Sequence, residues 1–398
     1  MRYRDKIVSK CGNGKKKIKV GLIIDEFFGA AETAYGGYGF LARKYIAKYL
    51  PNEDIEIEVL LGKAQRRYLG KYFSEKYKVD NVTLYRLPRN KYAAKFWLKK
   101  KKYDIYLSIE LTYSYVLENE CDVNKKLILW IQDPRPVYEW DEINTVQLFP
   151  EKSYYNPNVY NLVNNWYKKN RVKFVSQGYF LNQKAIDLYN LDTDVSIQYL
   201  PNPIDIDHNF SLSSHEKKNI IIFLGRIESV KRGWLFCEIA KQMPQYEFYV
   251  IGQTFREKEE NSAIMQNYKN ISNLFFVGHL EDERKEQFLK DAKILINTSI
   301  HEALPVSFLE ALSYGTVLVS NRNPENLTSQ FGIHVGNVLG DGFDKVDLYV
   351  NAIQELMCDD VRRNILAQAA IDYIKDRHSV ENFLYDMRNV IFTTVDNE

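Results

Sequence analysis

Two doubly wound parallel α/β domains are what this sequence predicts, on three observations. Short runs rich in Val, Ile and Leu alternate with helix-length segments through both halves, the pattern of buried parallel strands in βα units. At 398 residues and 46.8 kDa the chain has the length for two domains. Near the middle, residues 199–205 carry Pro201 and Pro203, which forbid a helix and deny a central strand its donors. The composition agrees: 45% apolar and 27% charged residues belong to a globular chain rather than a disordered one.

The expected strands of the first half are 19–25, 55–61, 82–87, 105–109, 126–131, 172–176 and 196–200. Those of the second half are 219–224, 247–251, 274–277, 294–297, 316–320 and 333–335. The linker is placed at 199–205, and the polar, then charged, stretch 210–218 reads as a loop. A terminal helix over 379–391 is expected from Ser379 as N-cap and the stripe Phe383, Leu384, Met387, Val390 and Ile391. The resulting domains are 1–200, 201–378 and a C-terminal helix, 379–398, that returns to the first domain. No solenoid repeat and no low-complexity tract occurs.

Several classes are excluded or disfavoured. Cys11, Cys121, Cys237 and Cys358 lie far apart with no CxxC pair, which rules out a zinc ribbon and argues against a disulfide framework. No apolar stretch approaches the ~20 residues of a membrane span. The basic N-terminus leads only into a run that Lys19 interrupts and Asp25 ends, unlike a signal peptide. A soluble cytoplasmic protein is expected. Its net charge of +2 conceals an asymmetry: residues 1–200 hold 34 Lys and Arg against 23 Asp and Glu, a net +11, while residues 201–398 hold 20 against 29, a net −9. The first half also has 22 of the 29 tyrosines. Either it meets an anionic partner, or these residues only solvate and fill a domain.

The strongest local signal runs from Ile294 to Gly315. A strand enters a short loop, Pro305 stands where a helix would begin, and Gly315 ends that helix as a left-handed cap. The open amides of the first turn, at the positive end of the helix dipole, suit an anion or sugar hydroxyls. Glu302 lies just before this turn and Glu310 just over one turn inside it, both able to accept from hydroxyls. A second element is Gly225-Arg226 with Lys231 and Gly233, which follows the first strand of the second domain at the edge where open α/β sheets bind ligands. Arg226 can fork onto phosphate oxygens and Lys231 adds a mobile point charge.

GRxxxxK followed by the E-x7-E element EALPVSFLE resembles the retaining glycosyltransferases of family 4, which have the GT-B fold. Residues 199–205 look like the PNGVD hinge of that family and 273–280 (NLFFVGHL) like its NVxFxGxV strand. Gly36-Gly37-Tyr38-Gly39 stands in the place of its glycine-rich loop. The match is close over 219–325 and in outline only over 1–200.

The resemblance implies a fold of two Rossmann-like domains facing a cleft, and roles for particular residues. Arg226 and Lys231 would hold the donor pyrophosphate and compensate the charge of a departing nucleoside diphosphate without a metal. Glu302 would bind donor-sugar hydroxyls, and the backbone at Leu304, Pro305 and Val306 would face the sugar and phosphate. Glu310 would bind the ribose, Gly278, His279 and Leu280 would border the base, and Gly37 would approach the β-phosphate. Family members often carry a His-Asp pair after a late strand of the first domain. Gln132-Asp133 stands there instead. Glutamine can orient a hydroxyl but not change charge, and Asp133 before Pro134 serves equally as an acceptor contact or a turn initiator.

The expected reaction is retaining transfer of a hexose or deoxyhexose to a glycan or lipid-linked glycan in cell-surface polysaccharide synthesis. The donor is a nucleotide sugar, with UDP favoured over dTDP or GDP, and no cofactor or metal is expected. Asp192-Thr193-Asp194 and Asp205-Ile206-Asp207 fit a metal-binding Asp-x-Asp only literally, and no His/Cys/Asp cluster has metal spacing. A dinucleotide oxidoreductase would need GxGxxG directly after a strand, whereas Gly36 comes well after Asp25. A non-catalytic chaperone of the same fold and a nucleotide-sugar 2-epimerase are the alternatives, and no nucleic-acid motif occurs. From Lys91 to Tyr103 aromatics and lysines interleave at helical spacing, with Tyr92, Phe96 and Lys99 on one side. That segment suits an anionic membrane on the inner face of the cell, or an ordinary surface helix that packs Phe96, Trp97 and Leu98 inward.

Overall fold

A computed structural model describes residues 16–149, 153–254 and 258–396. Cys11, one of the four cysteines considered above, lies outside them. Fourteen strands form two sheets among the described residues. The first contains β1 (Ile18–Ile23), β2 (Ile55–Lys63), β3 (Glu75–Val79), β4 (Val82–Leu87), β5 (Ile105–Ile109), β6 (Leu127–Ile131), β7 (Val172–Ser176) and β8 (Ile197–Tyr199). Their order is β3-β4-β2-β1-β5-β6-β7-β8. The second contains β9 (Lys218–Leu224), β10 (Glu247–Ile251), β11 (Leu274–Gly278), β12 (Ala292–Asn297), β13 (Val317–Ser320) and β14 (Gly332–His334), in the order β11-β10-β9-β12-β13-β14 and parallel throughout. The expected two-sheet α/β class is the observed one, and every expected strand is present within a few residues of its expected ends.

One strand escaped the sequence pattern. β3 pairs antiparallel with β4 through a tight turn in which Asp80 has φ 52°. Its sequence, EKYKV, alternates charge with aromatic and β-branched residues and lacks the continuous apolar run that marks a strand buried on both faces. As an edge strand it needs no such run. Its Glu75 is buried and accepts from the amides of Gln65 and Arg66, so it fastens the loop that leaves β2.

By contact density the chain forms two compact units. One comprises Met1–Trp130, Asn161–Phe174 and Met387–Glu398; the other comprises Ile131–Tyr160 and Val175–Asp386. In the first unit, Val20, Leu22, Val59, Leu84 and Leu107 fill the sheet interior, and Trp130, Tyr103 and Tyr106 are fully buried. Glu58, on β2, is a buried carboxylate held by Lys101 at 2.8 Å, Lys19 at 3.2 Å and the Tyr103 hydroxyl at 2.7 Å. Burial would raise its pKa; the bonds from Lys101 and Tyr103 outweigh that and leave it lowered.

The core of the second unit gathers Phe223, Phe236, Phe248 and Trp234 on one side of the sheet, and Leu304, Phe308, Leu309 and Leu318 on the other. The terminal helix, Val380–Asp396, starts with Ser379 Oγ accepting from Asn382 N at 3.3 Å. Its last part belongs to the first unit, where Arg388 donates to the Tyr49 carbonyl and Lys126 to that of Thr394.

The 91–103 segment forms the helix Lys91–Lys101, capped by Asn90, whose side chain accepts from the amides of Tyr92 and Ala93. Leu98 is buried, and Trp97 packs edge-on against Tyr85 with ring centroids 5.1 Å apart. Phe96 stays outside, as does Tyr92, which corrects the inward packing of Phe96 expected for an ordinary surface helix.

Candidate functional site

The second sheet places its strand ends in register through backbone bonds. Gly225 N donates to the Ile251 carbonyl at 3.0 Å, and Gly252 N to that of Gly278 at 2.8 Å. At Gly252 a Cβ would sit 1.8 Å from the Gly225 carbonyl oxygen, so only glycine lets these loops approach. From this edge Arg226 emerges half exposed, with Nη2 2.9 Å from Oε1 of the buried Glu228. A short turn, Ser229–Lys231, then brings Lys231 toward the loop after β12.

These two loops are bonded into one unit. Ile300 N donates to the Val230 carbonyl at 2.8 Å, and Thr298 Oγ1 to the carbonyls of Lys231 and Arg232 at 2.9 and 3.1 Å. Arg232 is fully buried, and its guanidinium donates to the carbonyls of Thr298, Val338 and Gly340 at 2.6, 3.0 and 2.8 Å. Burial lowers its pKa to about 10, which leaves it charged at neutral pH.

On that frame the Glu302 side chain is 7% exposed and receives three donors on Oε1: Lys231 Nζ at 2.6 Å, Asn297 Nδ2 at 2.9 Å and Ser299 Oγ at 2.5 Å. Burial opposes its ionisation; Lys231 and the two neutral donors outweigh burial and lower its pKa. The following helix is Val306–Ser313, with Pro305 as its extended N-cap rather than, as expected, its first helical residue. Proline has no N–H, so the open amides of the first turn begin at Val306. Leu304 is buried beneath the turn. Glu310, one turn in, accepts from Lys285 at 2.7 Å. Gly315 closes the helix at φ 67°, as its position predicted.

Of the remaining expected residues, Gly278 ends β11 at φ 76°, with open space where a Cβ would stand. His279 is exposed and 2.8 Å from Glu281, while Leu280 packs on the core. Gly37 starts a helix in the first unit with open space around its Cα, and Glu26 Oε1 accepts from Gly39 N at 2.9 Å to hold that loop. Gln132 is buried in a reciprocal amide pair with Asn202, at 3.0 and 3.1 Å, and Asn202 also donates to Gln177. It is therefore bound into the framework beside the 199–205 segment.

Asp133 leads to a residue that motif reading left without a role. His301, the neighbour of Glu302, is 4% exposed. Its Nε2 lies 2.8 Å from Asp133 Oδ1 and its Nδ1 2.6 Å from Glu139 Oε2. Asp133 also pairs with Arg135 at 2.6 Å, and Glu139 with Lys184. Burial would raise both carboxyls. Arg135 and His301 hold Asp133 well below the usual carboxylate range, and His301 and Lys184 bring Glu139 to about 2. No spacing rule could have found this cluster, because Asp133 and His301 are 168 positions apart. The imidazole that meets Asp133 thus comes from the loop before the Val306–Ser313 helix and not from its own stretch of chain.

No group of three or more His, Cys, Asp or Glu among the described residues is arranged to hold a metal ion, and no described helix is long and apolar enough to cross a membrane.

Residues 205–373 match the family model for glycosyl transferases group 1. No curated protein sequence matches the chain. Among solved structures, sucrose-phosphate synthase from Thermosynechococcus elongatus superposes with a TM-score of 0.71 at 13% identity, covering 96% of this chain and 100% of that one. A glycosyltransferase from Rickettsia africae gives 0.65 at 13% identity, covering 96% and 100%. The Anabaena protein HepE, in complex with UDP-glucose, gives 0.63 at 11% identity, covering 94% and 99%. The chain thus has the GT-B fold, and its residues 205–373 are similar to the glycosyl transferases group 1 family.

Proposed function

We propose that the protein is a family 4 retaining glycosyltransferase that moves a hexose or deoxyhexose from a nucleotide-diphosphate sugar to a glycan or lipid-linked glycan. The observation that carries this reading is the part-buried Lys231–Glu302 pair, built onto loops that Thr298 and Arg232 lock together at the carboxyl edge of β9 and β12. A carboxylate taken out of water at a ligand-binding edge is a costly arrangement for stability alone. Its setting within the residues similar to the group 1 family supports a donor site.

In this reading Arg226 and Lys231 bind the diphosphate. An ammonium has three donors and Glu302 accepts one, so the ion pair and a phosphate contact are compatible. Glu302, kept ionised, accepts from donor-sugar hydroxyls; Glu310 accepts from the ribose, and Gly278 to Leu280 border the base. As the bond from the anomeric carbon to the diphosphate oxygen breaks, the two cations offset the charge left on the phosphate, and no metal is required. The acceptor oxygen bonds to the anomeric carbon from the same face, and its proton passes to the departing phosphate. UDP is the favoured nucleotide, in keeping with the UDP-glucose complex of HepE. Residues 1–200 would take the acceptor and 201–378 the donor, with use in cell-surface polysaccharide synthesis at the cytoplasmic side of the membrane.

Thermal unfolding in the presence of UDP-, dTDP- and GDP-sugars tests the donor assignment, since a ligand bound only by the folded state raises the melting temperature. Stabilisation by one nucleotide series, lost in Arg226→Ala, is expected; none by any series would refute it. Turnover with and without acceptor in EDTA, with NMR of the product anomer, tests transfer, metal independence and retention separately.

A further inference from the structure

The positive charge of the first half has a location. Residues 63–102 hold 14 Lys and Arg against two acidic residues, Glu75 and Asp80; that net +12 accounts for the whole +11 of residues 1–200. β2 and β4 are parallel, so the loop leaving β2 and the helix that follows β4 start from the same, carboxyl edge of the sheet. Two backbone bonds clip them together: Arg89 N to the Gly70 carbonyl at 2.8 Å, and Asn90 N to that of Lys71 at 2.9 Å. Glu75 fixes the other end of the loop through the amides of Gln65 and Arg66.

The loop is therefore a bonded ledge, yet its large apolar side chains point outward. Tyr68 is 83% exposed, Leu69 64%, Tyr72 55% and Phe73 67%; on the adjoining helix Tyr92 is 83% and Phe96 72% exposed. Exposed cations stand among them, Arg66, Arg67 and Lys71 on the loop and Lys95, Lys99 and Lys100 on the helix. Scattered surface hydrophobics need no explanation, but a contiguous aromatic patch rimmed by one sign of charge marks an interaction surface. The charge selects an anionic partner. Tyrosines suit a headgroup boundary, whereas Leu69, with neither charge nor π face, gains only from an apolar phase.

We propose that the 63–73 loop and the Lys91–Lys101 helix form one docking surface for an anionic lipid bilayer. Cations meet the headgroups while Leu69, Phe73 and Phe96 enter the acyl boundary. The bilayer then lies beside the carboxyl edge of the first sheet, where such sheets bind ligands. That placement narrows the acceptor to a lipid-carried one. The narrowing rests on the proposed transfer reaction; the docking does not.

Co-sedimentation of the full chain with vesicles tests it, using phosphatidylcholine alone and phosphatidylcholine with a quarter phosphatidylglycerol. Binding is expected at least tenfold stronger on the anionic vesicles and weaker as salt rises. Lys95→Ser, Lys99→Ser and Lys100→Ser together should lower it about 100-fold. Leu69→Ser with Phe73→Ser should lower it severalfold although no charge is lost, and Phe96→Trp should gain fluorescence quenched by brominated acyl chains. All these side chains are exposed, so melting temperatures should match the parent. Equal binding to both vesicles, binding to neither, or parent-like binding by the Leu69/Phe73 variant would overturn the proposal. So would dextran sulfate binding in solution with the same dependence on Leu69 and Phe73, which would assign the surface to a soluble polyanion. Stabilisation by nucleotide sugar reads the donor site and should be unchanged in every variant. Its absence alongside intact vesicle binding would count against the transfer reading only.

Discussion

Lys231 Nζ lies 2.6 Å from Glu302 Oε1, an ion pair that joins the loop after β9 to the loop after β12. The resemblance had given these residues separate tasks, one on phosphate and one on sugar. Because they touch, their effects should couple. Lys231→Ala and Glu302→Gln are each expected to cut transfer by about 100-fold or more, with the double variant little worse than either single one. A double-mutant cycle on kcat/KM checks this; simple addition of the two losses would mean the pair acts as two independent contacts.

His301 should matter although no motif gives it a role. Its removal takes a hydrogen-bond partner from both Asp133 and Glu139 in a buried setting, where Arg135 and Lys184 also pair with them. His301→Ala is expected to destabilise the protein by about 3 kcal/mol, the scale for breaking a buried pair, and His301→Gln by less, since an amide still donates. Urea unfolding of the two variants gives the comparison. Equal stability of all three proteins would remove His301 from the framework.

Arg232 differs from its neighbour Lys231 in having no part in the proposed chemistry. Its fork holds three carbonyls that a lysine cannot reach together. Arg232→Lys should cost about 2–4 kcal/mol of stability by leaving buried acceptors unmet. If chemical denaturation of Arg232→Lys matched the parent, the carbonyl cluster would not depend on the guanidinium.

His378 supplies a pH dependence with a definite sign. It is buried, its Nδ1 lies 2.7 Å from the Asn202 carbonyl, and burial lowers its pKa to about 4 from the ordinary 6.5. Above pH 6.5 neither state binds the proton and the group is neutral in its effect. Between pH 6.5 and 4 the unfolded chain takes the proton first, so stability falls by up to about 1.4 kcal/mol per pH unit, and below 4 the loss levels off. Subtracting the profile of His378→Gln from that of the parent isolates this contribution. A flat difference between pH 6.5 and 4 would contradict it.

The amino-acid sequence determined the alternation of strands and helices, the place of each parallel strand and the glycine that ends the Val306–Ser313 helix. These follow from local rules: a strand buried on both faces must be apolar along its length, and a left-handed cap favours glycine. It also singled out Arg226, Lys231, Glu302 and Glu310, since a motif fixes residues within one or two turns of chain. It did not reveal β3, whose edge position removes the need for an apolar run. Nor could it show that Lys231 and Glu302 form an ion pair, that His301 bridges Asp133 and Glu139, or that Gln132 is bound to Asn202. Those pairings join positions from 70 to 168 residues apart. A charge or an amide reads the same whether solvated or paired, and only the tertiary structure decides which partner takes it out of water.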